Sequence, residues 1–488
     1  MREIINNCGI WKFFPRMLFS FSGFLVFLLL LLVFYIRLHN LSVPIPYLVA
    51  YEPNVIYSLQ NYISGEGLYN NPELPHYAIT QYTPIYYNVC YWMSFVFGTD
   101  VNVPLDVFFL SRTVSLIFNF LTGLLIYLFL FRCVGVSRFL SFVGFSLVFV
   151  YIEPHAYSRP DSVYNFMFLL SVCVFYLMIR SQHSKRYLVL STFLVIVTIF
   201  AKQTGLILVF INSLYFLFAK RYRLLAMQVF FYCLFFILFL FLFVDNIELF
   251  INNVVNGVNN GLDFKGFYPN LIQPTIEKFN ILLVIGLIVS LYWLRGSLQM
   301  FYLSLVAILS FGWALGTGLK WGSTPSYFSD FINIVVILSI AFYSQVETER
   351  FKIPFVIVVL FLMFSRTFNI VWEKNYVYDY TEYNKSEKVA MYMNKEVRLG
   401  NNDLVFCDKH NWMDNFLYKN TIFPHKEIAT TCYLNQAFDY SHANEIIISG
   451  KVKYVISKGD VQEKFLFFNF KNYKLLKKIE DYNIYVRY

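Results

Sequence analysis

Ten side chains in this sequence have types and positions suited to chemistry, eight of them in three groups and two apart. The first is Glu52, which stands before Pro53 just after a long apolar run ends. Proline suits a first helical turn, so the carboxylate is expected at a helix amino end, where the dipole favours its ionised form and lets it serve as a base. The second is the stretch EPHAYSRPDS (153–162), which supplies Glu153, His155, Arg159 and Asp161 between two apolar runs. Asp161 is expected to face Glu52 across a cavity, one accepting a proton while the other orients the reactant or binds a divalent metal. Asp161 and Ser162 can equally cap the next helix, with Arg159 pairing an acid.

The third group is cationic. Lys202 in FAKQTG (200–205) lies between two apolar runs, Arg112 near the outer end of one span and Arg366 near the outer end of the last. A lysine at such a place either snorkels to the headgroups or neutralises a membrane-tethered phosphate, with Gln203 and Thr204 adding hydrogen bonds. A guanidinium within a span costs a few kcal/mol on insertion scales, so each arginine is expected to have an anionic partner. Tyr327 and Asp330, at the outer start of a late span, complete the candidates.

The elements that must position these groups are spans. The 488 residues are 58% hydrophobic and only 14% charged, with positive mean hydropathy, too little charge to keep a soluble surface of this size wet. Nearly uncharged runs of roughly 15 to 25 residues recur, each near the length that crosses a hydrocarbon layer as a helix. The first, 17–36, is too long for a signal-peptide core and precedes no small-residue cleavage site, so it reads as a retained span. Others are expected near 104–131, 139–152, 162–179, 187–201, 205–219, 224–244, 279–294, 299–318, 331–346 and 353–370, about eleven in all.

Lysine and arginine crowd the loops on one side, from Arg2, Lys12 and Arg16 through Lys220, Arg221 and Arg223 to Arg350 and Lys352. Positive-inside reasoning puts the amino terminus in the cytoplasm and the carboxyl end outside, in a cell (inner or plasma) membrane. The +9 formal charge reflects this anchoring, so no nucleic-acid partner is expected. The acids, in contrast, gather at the outer edge, and any active site is expected there.

Two regions follow: a membrane domain over 1–370, with a first outer loop at 37–103, and a soluble α/β domain over 371–488. Within the loop, 84–97 is too short to cross and is expected to lie along the interface with Trp92 at headgroup depth. The Asn- and Gly-rich segment 245–278 suits turns and mobile loops. In the tail, 387–397 is expected to be helical, 403–408 and 453–458 to be buried strands, and the last residues to form a closing hairpin. Of seven cysteines, Cys407 and Cys432 share the tail and could pair in an oxidising compartment; the others show no metal-ligand spacing.

The spacing of Glu52 to the glycines of SGEGLY (64–69), followed by YTPIYYNVCYWMSFVFG (82–98) and SRTVS (111–115), resembles the first outer loop and second span of the GT-C glycosyltransferase superfamily. The aminoarabinose transferases, protein O-mannosyltransferases and bacterial lipopolysaccharide sugar transferases are its most similar members. SRPDS (158–162) is similar to their second acidic element, and FAKQTG to a segment of the bacterial enzymes. The resemblance covers roughly the first 220 residues. It implies transfer of a sugar from a polyprenyl-phosphate donor to a glycan, lipid or protein acceptor at the outer face, inversion at the anomeric carbon, and Glu52 in place of the family's loop acid. Tyr51 stands where a partner acid is usual. A lipid or glycan flippase and a catalytically inactive membrane scaffold are the rival readings.

Overall fold

The protein is described by a computed structural model covering residues 10–44, 52–152, 157–259, 261–346, 349–372, 380–400, 402–408, 412–458 and 472–488. Every one of the eleven expected spans is a helix. Among the described residues seven are long and apolar enough to cross a membrane alone: Phe21–His39, Pro104–Val134, Asp161–Arg180, Tyr222–Phe243, Leu298–Thr317, Pro325–Gln345 and Ile353–Trp372. An eighth is a bent pair, Phe264–Phe279 with Ile281–Trp293, kinked by 84°. The break falls at Asn280, whose φ of 29° few residues but asparagine and glycine tolerate, and whose side chain caps the Ile281 N–H. The remaining three, Arg138–Tyr151, Lys185–Ala201 and Leu206–Phe218, are shorter, at 14, 17 and 13 residues. Length alone therefore carries seven or eight crossings.

Burial sorts these helices. Asp161–Arg180 and Pro325–Gln345 are 78% and 83% buried and form the centre, whereas Tyr222–Phe243 is 17% buried and presents phenylalanines such as Phe230 and Phe241 outward. Lipid is as apolar as leucine, so close packing and interhelical hydrogen bonds must hold the centre together. At Gly144 a Cβ would sit 2.6 Å from the Leu130 Cδ1 and 2.9 Å from the Ile340 Cδ1, so any larger residue would push both side chains aside. Tyr302 donates to Asn212 (2.9 Å), Ser171 and Thr198 share a 3.1 Å bond, and Tyr151 donates to the Leu362 carbonyl (3.1 Å). Each contributes roughly 0.6 kcal/mol.

The first outer loop contains two helices, Glu52–Ile63 and Ile85–Phe97. The second ends at Gly98 in the left-handed region and exposes Trp92, Phe95 and Val96 on one side, the aromatic face expected of an interfacial helix. The expectation of mobile loops over 245–278 needs correction. This segment is largely helical, with Ile247–Val254 and Gln273–Phe279 as its main pieces. Its asparagines work as caps and staples: Asn246 accepts from Leu249 N–H, and buried Asn253 accepts from Thr80 N–H (2.8 Å) while donating to the Asn70 carbonyl (2.7 Å).

The tail folds as a four-stranded sheet of order β1-β2-β4-β3, with β1 Leu404–Cys407, β2 Val452–Lys458, β3 Tyr473–Ile479 and β4 Tyr482–Arg487. The first two strands run parallel, and β3–β4 is the closing hairpin. Parallel strands need a crossover, which the helices Met413–Phe416, Lys426–Leu434 and Ser441–Ser449 supply. Phe406 and Val455 pack on these helices, while Val405, Cys407 and Ile456 face Val389 and Met393 of the preceding helical segment. Both faces are covered, which is why β1 and β2 read as unbroken apolar runs. The outer strand β3 is exposed and carries Lys474, Lys477 and Lys478, charges that discourage edge-to-edge pairing. Cys407 and Cys432 are buried and unbonded to each other, Cys407 in the β1 core and Cys432 against the Gly257 carbonyl.

This domain is seated on the first outer loop. Trp412 meets Phe108 edge-on at 4.9 Å between ring centroids, and Gln60 donates to the Asn415 carbonyl (2.9 Å). His425 makes the central contact: its Nδ1 accepts from Ile79 N–H (3.1 Å), so its Nε2 carries the proton and donates to the Asn54 carbonyl (3.1 Å). Burial pushes its pKa down to about 4, so the ring is neutral at ordinary pH.

Candidate active site

A cavity of about 290 Å³ lies where the outer domain meets the ends of the membrane helices. Its wall draws on the helix Glu52–Ile63 (Asn54, Ser58), the extended segment after it (Thr80, Gln81, Tyr82), the Lys202–Thr204 turn, the Lys320–Gly322 turn and the helix Lys426–Leu434. The charged wall residues are Arg159, Lys202, Lys320 and Glu427, three cations against one acid. Tyr82, Tyr87, Trp313, Trp321 and Tyr327 supply aromatic faces.

The cations are held by elements that the sequence forces to end there. Pro160 initiates the helix Asp161–Arg180, putting Asp161 in its first turn, where a carboxylate is favoured. The helix Lys185–Ala201 stops at Lys202, which turns to extended backbone at φ −160°. Lys202 Nζ then lies 2.7 Å from Asp161 Oδ1, and Arg159 Nε lies 3.5 Å from Asp161 Oδ2. One carboxylate thus steadies two cations that both reach the cavity, while being only 3% exposed itself. Lys202 Nζ also sits 5.3 Å from the Tyr327 ring centroid and 5.7 Å from that of Tyr164. Behind the wall, Tyr164 donates to Asp330 at 2.5 Å. Lys320 has its pKa lowered to about 8 by burial, with the Lys202 charge acting in the same direction.

Glu52 is placed differently. It starts its helix as expected, yet it is 2% exposed and absent from the cavity wall. Arg112 clamps it through Nε–Oε1 (3.2 Å) and Nη2–Oε2 (2.9 Å), and Ser158 N–H donates to Oε1 (2.6 Å). The remaining Arg112 nitrogen, Nη1, donates to the carbonyls of Asn40 (3.0 Å) and Val43 (2.7 Å). Arg112 has the anionic partner its place in a span demands, and the pair ties the first outer loop to the 157–162 turn. Arg366 is buried and likewise away from the wall. Of the expected set, then, Asp161, Lys202, Arg159, Tyr327 and Asp330 converge, while Glu52 joins them only through Ser158. Glu153 and His155 lie outside the described residues.

One of Glu52 and Asp161 is expected to orient the acceptor or to bind a metal, and of the two Asp161 is the one beside the cavity. Both its oxygens face cations, and among the described residues no three His, Cys, Asp or Glu side chains are grouped to hold an ion. These residues do not fit a divalent cation at Asp161.

Two wall residues escaped the sequence reading. Lys320 sits in GTGLKWGS as one charge among others, and Glu427 belongs to the tail, with no apolar run beside it to mark depth. Only the folding back of the outer domain brings Glu427 to the membrane edge.

No family model matches the sequence, and no curated protein matches it by sequence. Solved structures do match. ArnT from Cupriavidus metallidurans in the apo state superposes with a TM-score of 0.61 at 11% identity over 96% of this chain and 98% of its own. The same protein bound to undecaprenyl phosphate gives 0.59 at 11% identity, over 94% and 97%. The archaeal oligosaccharyltransferase AglB from Archaeoglobus fulgidus, in complex with an inhibitory peptide and a dolichol-phosphate, gives 0.58 at 12% identity over 92% of this chain and 70% of its own. At such identities the likeness is one of architecture, and it is specific enough to state that this multi-pass membrane chain, with its small C-terminal α/β domain, has the GT-C fold.

Proposed function

We propose that the protein is a membrane glycosyltransferase that moves a sugar from a polyprenyl-phosphate donor to a cell-envelope glycan, lipid or protein acceptor. The observation that carries this reading is the grouping of Arg159, Lys202 and Lys320 on one cavity wall at the ends of membrane helices. That is the charge a carrier phosphate needs while its isoprenoid chain stays in lipid. The fold supports it, since its neighbours ArnT and AglB were solved with undecaprenyl phosphate and dolichol-phosphate. By charge asymmetry of the loops, the amino terminus is cytoplasmic and the cavity faces outward, in a cell (inner or plasma) membrane.

In this mechanism the acceptor oxygen attacks the anomeric carbon with inversion, and the departing phosphate takes the bonding pair. Phosphate leaves readily once its charge is offset, so Lys202, Arg159 and Lys320 serve the leaving group in place of a strong acid. Asp161 keeps the first two in place. The aromatic wall offers faces for a sugar ring. Arg112 and Glu52 act as a buried strut beneath the site, and Arg366 is buried away from the cavity wall. The competing assignment, Glu52 or Asp161 as the base, requires one of these carboxylates to leave its cation.

The flippase reading predicts polar groups near mid-bilayer, whereas those here mass at one edge. Transfer from radiolabelled polyprenyl-phosphate sugars to an envelope extract tests the proposal. Wild-type protein should transfer, and Lys202→Gln should weaken donor use by at least tenfold. A wild type inert with every hexose and pentose donor would favour the flippase or scaffold.

A further inference from the structure

Among the described residues a single carboxylate lines the cavity, and it comes from the outer domain: Glu427, in the first turn of the helix Lys426–Leu434. Glu52, Asp161 and Asp330 do not line it: Glu52 is held by Arg112, Asp161 by Lys202 and Arg159, and one oxygen of Asp330 accepts from Tyr164.

The chain separates Glu427 sharply from its neighbour. Lys426 turns into the domain, 2% exposed, with its Nζ 3.4 Å from the Asp414 carboxylate. Glu427 and Ile428 turn to the cavity, and Glu427 keeps intermediate exposure. Its position is fixed by the residue before Lys426, since His425 is hydrogen-bonded to both Ile79 N–H and the Asn54 carbonyl. Asn54 and Ile79 are themselves wall residues, so the helix start is pinned to the wall that it completes. Partial burial raises the Glu427 pKa from its ordinary value, with the Lys426 charge opposing.

We propose that Glu427 is the proton acceptor for the incoming hydroxyl. The inference rests on the transferase reading above. The acceptor O–H gives its proton to the Glu427 carboxylate, the oxygen's electron pair forms the bond to the anomeric carbon, and the bond from that carbon to the phosphate oxygen breaks. The pair leaves on polyprenyl phosphate, beside Arg159, Lys202 and Lys320. Protonated Glu427 then loses its proton to water. Donor and acceptor thereby draw on different parts of the chain: cations from the membrane domain on the phosphate, and an acid from the C-terminal domain on the nucleophile.

The experiment is steady-state transfer from radiolabelled undecaprenyl-phosphate hexoses and pentoses to a solubilised envelope extract, using full-length protein in detergent. Glu427→Gln should lower kcat by about 10²- to 10⁴-fold, the range for a lost general base. Its KM for the donor should stay within about threefold, and the acidic limb of the pH profile should vanish from the residual rate. Glu427→Asp should recover part of the rate. If the Gln variant does not fold, Glu427→Ala rescued by sodium formate makes the same measurement, with rescue expected. A Gln variant within about threefold of wild-type kcat, one that loses donor affinity instead of kcat, or an Ala variant that formate leaves inactive, overturns the assignment while the transferase reading stands. A wild type that transfers from none of these donors overturns both.

Discussion

Replacing Glu52 with Gln separates a strut from a base. The Glu52–Arg112 pair is almost fully buried, with a bidentate contact and a third bond from Ser158. Gln keeps one oxygen for Ser158 and Arg112 Nε, but turns an NH₂ toward Arg112 Nη2, placing donor against donor and leaving a guanidinium without its counter-charge. Removing one partner of a buried pair costs roughly 3–5 kcal/mol. Arg112→Met should cost a similar amount, because Glu52 then stays buried with only the Ser158 N–H. The double variant, with neither charge, should recover much of the loss, for a coupling of about 3 kcal/mol. Unfolding of purified protein in detergent, followed by heat or denaturant, yields the four stabilities, and donor-dependent transfer is measured on the folded fraction of each. The strut assignment expects the double variant to transfer at a substantial fraction of the wild-type rate. It is refuted if Glu52→Gln unfolds like the wild type while transfer disappears, for that is the behaviour of a base.

Three further outcomes are expected. Asp161→Asn should release Lys202 and Arg159 and raise the donor KM at least tenfold with less effect on kcat, as read from steady-state kinetics; an unchanged KM would contradict its placing role. Lys320, with its pKa lowered to about 8, is charged below that pH and loses its charge above it. Donor kcat/KM should therefore fall as pH rises through about 8, and Lys320→Met should flatten that limb. His425 has a folded pKa of about 4 against an ordinary value of ~6.5, so the docked domain binds fewer protons than the free one between these values. Docking is at full strength above ~6.5 and weakens as pH falls toward 4, by up to roughly 3 kcal/mol. Hydrogen exchange of residues 412–458 should accelerate over that window, and His425→Gln, which keeps a donor and an acceptor but takes up no proton, should remove the dependence.

The spans were legible because uncharged runs of such length have few other fates, and the tail strands because covered faces demand unbroken apolar residues. The closing hairpin was readable too, since YKLLKKI and IYVRY flank a turn too short to do anything but reverse. Three features resisted. The 245–278 segment looks loose by composition, but asparagine that caps or staples cannot be told from asparagine in a loop without its partners. Glu52 and Arg112 are 60 residues apart, so the anionic partner expected for Arg112 could not be named from the sequence. Their pairing supplies it, and neither lines the cavity wall. Lys202 and Asp161, which the fold brings together, were legible because both sit at helix ends, where apolar periodicity stops and a polar side chain has to face something. Glu427 had no such marker.

The cavity wall runs from Asn54 to Ile428 along the chain, so its last contributors leave the ribosome long after its first. During synthesis the early helices can insert and pack while the hollow still lacks its outer side, open to water and without the carboxylate of Glu427. A nascent chain in that condition has no complete hollow, so the order of translation itself delays the closing of the cavity until the tail has folded onto its seat.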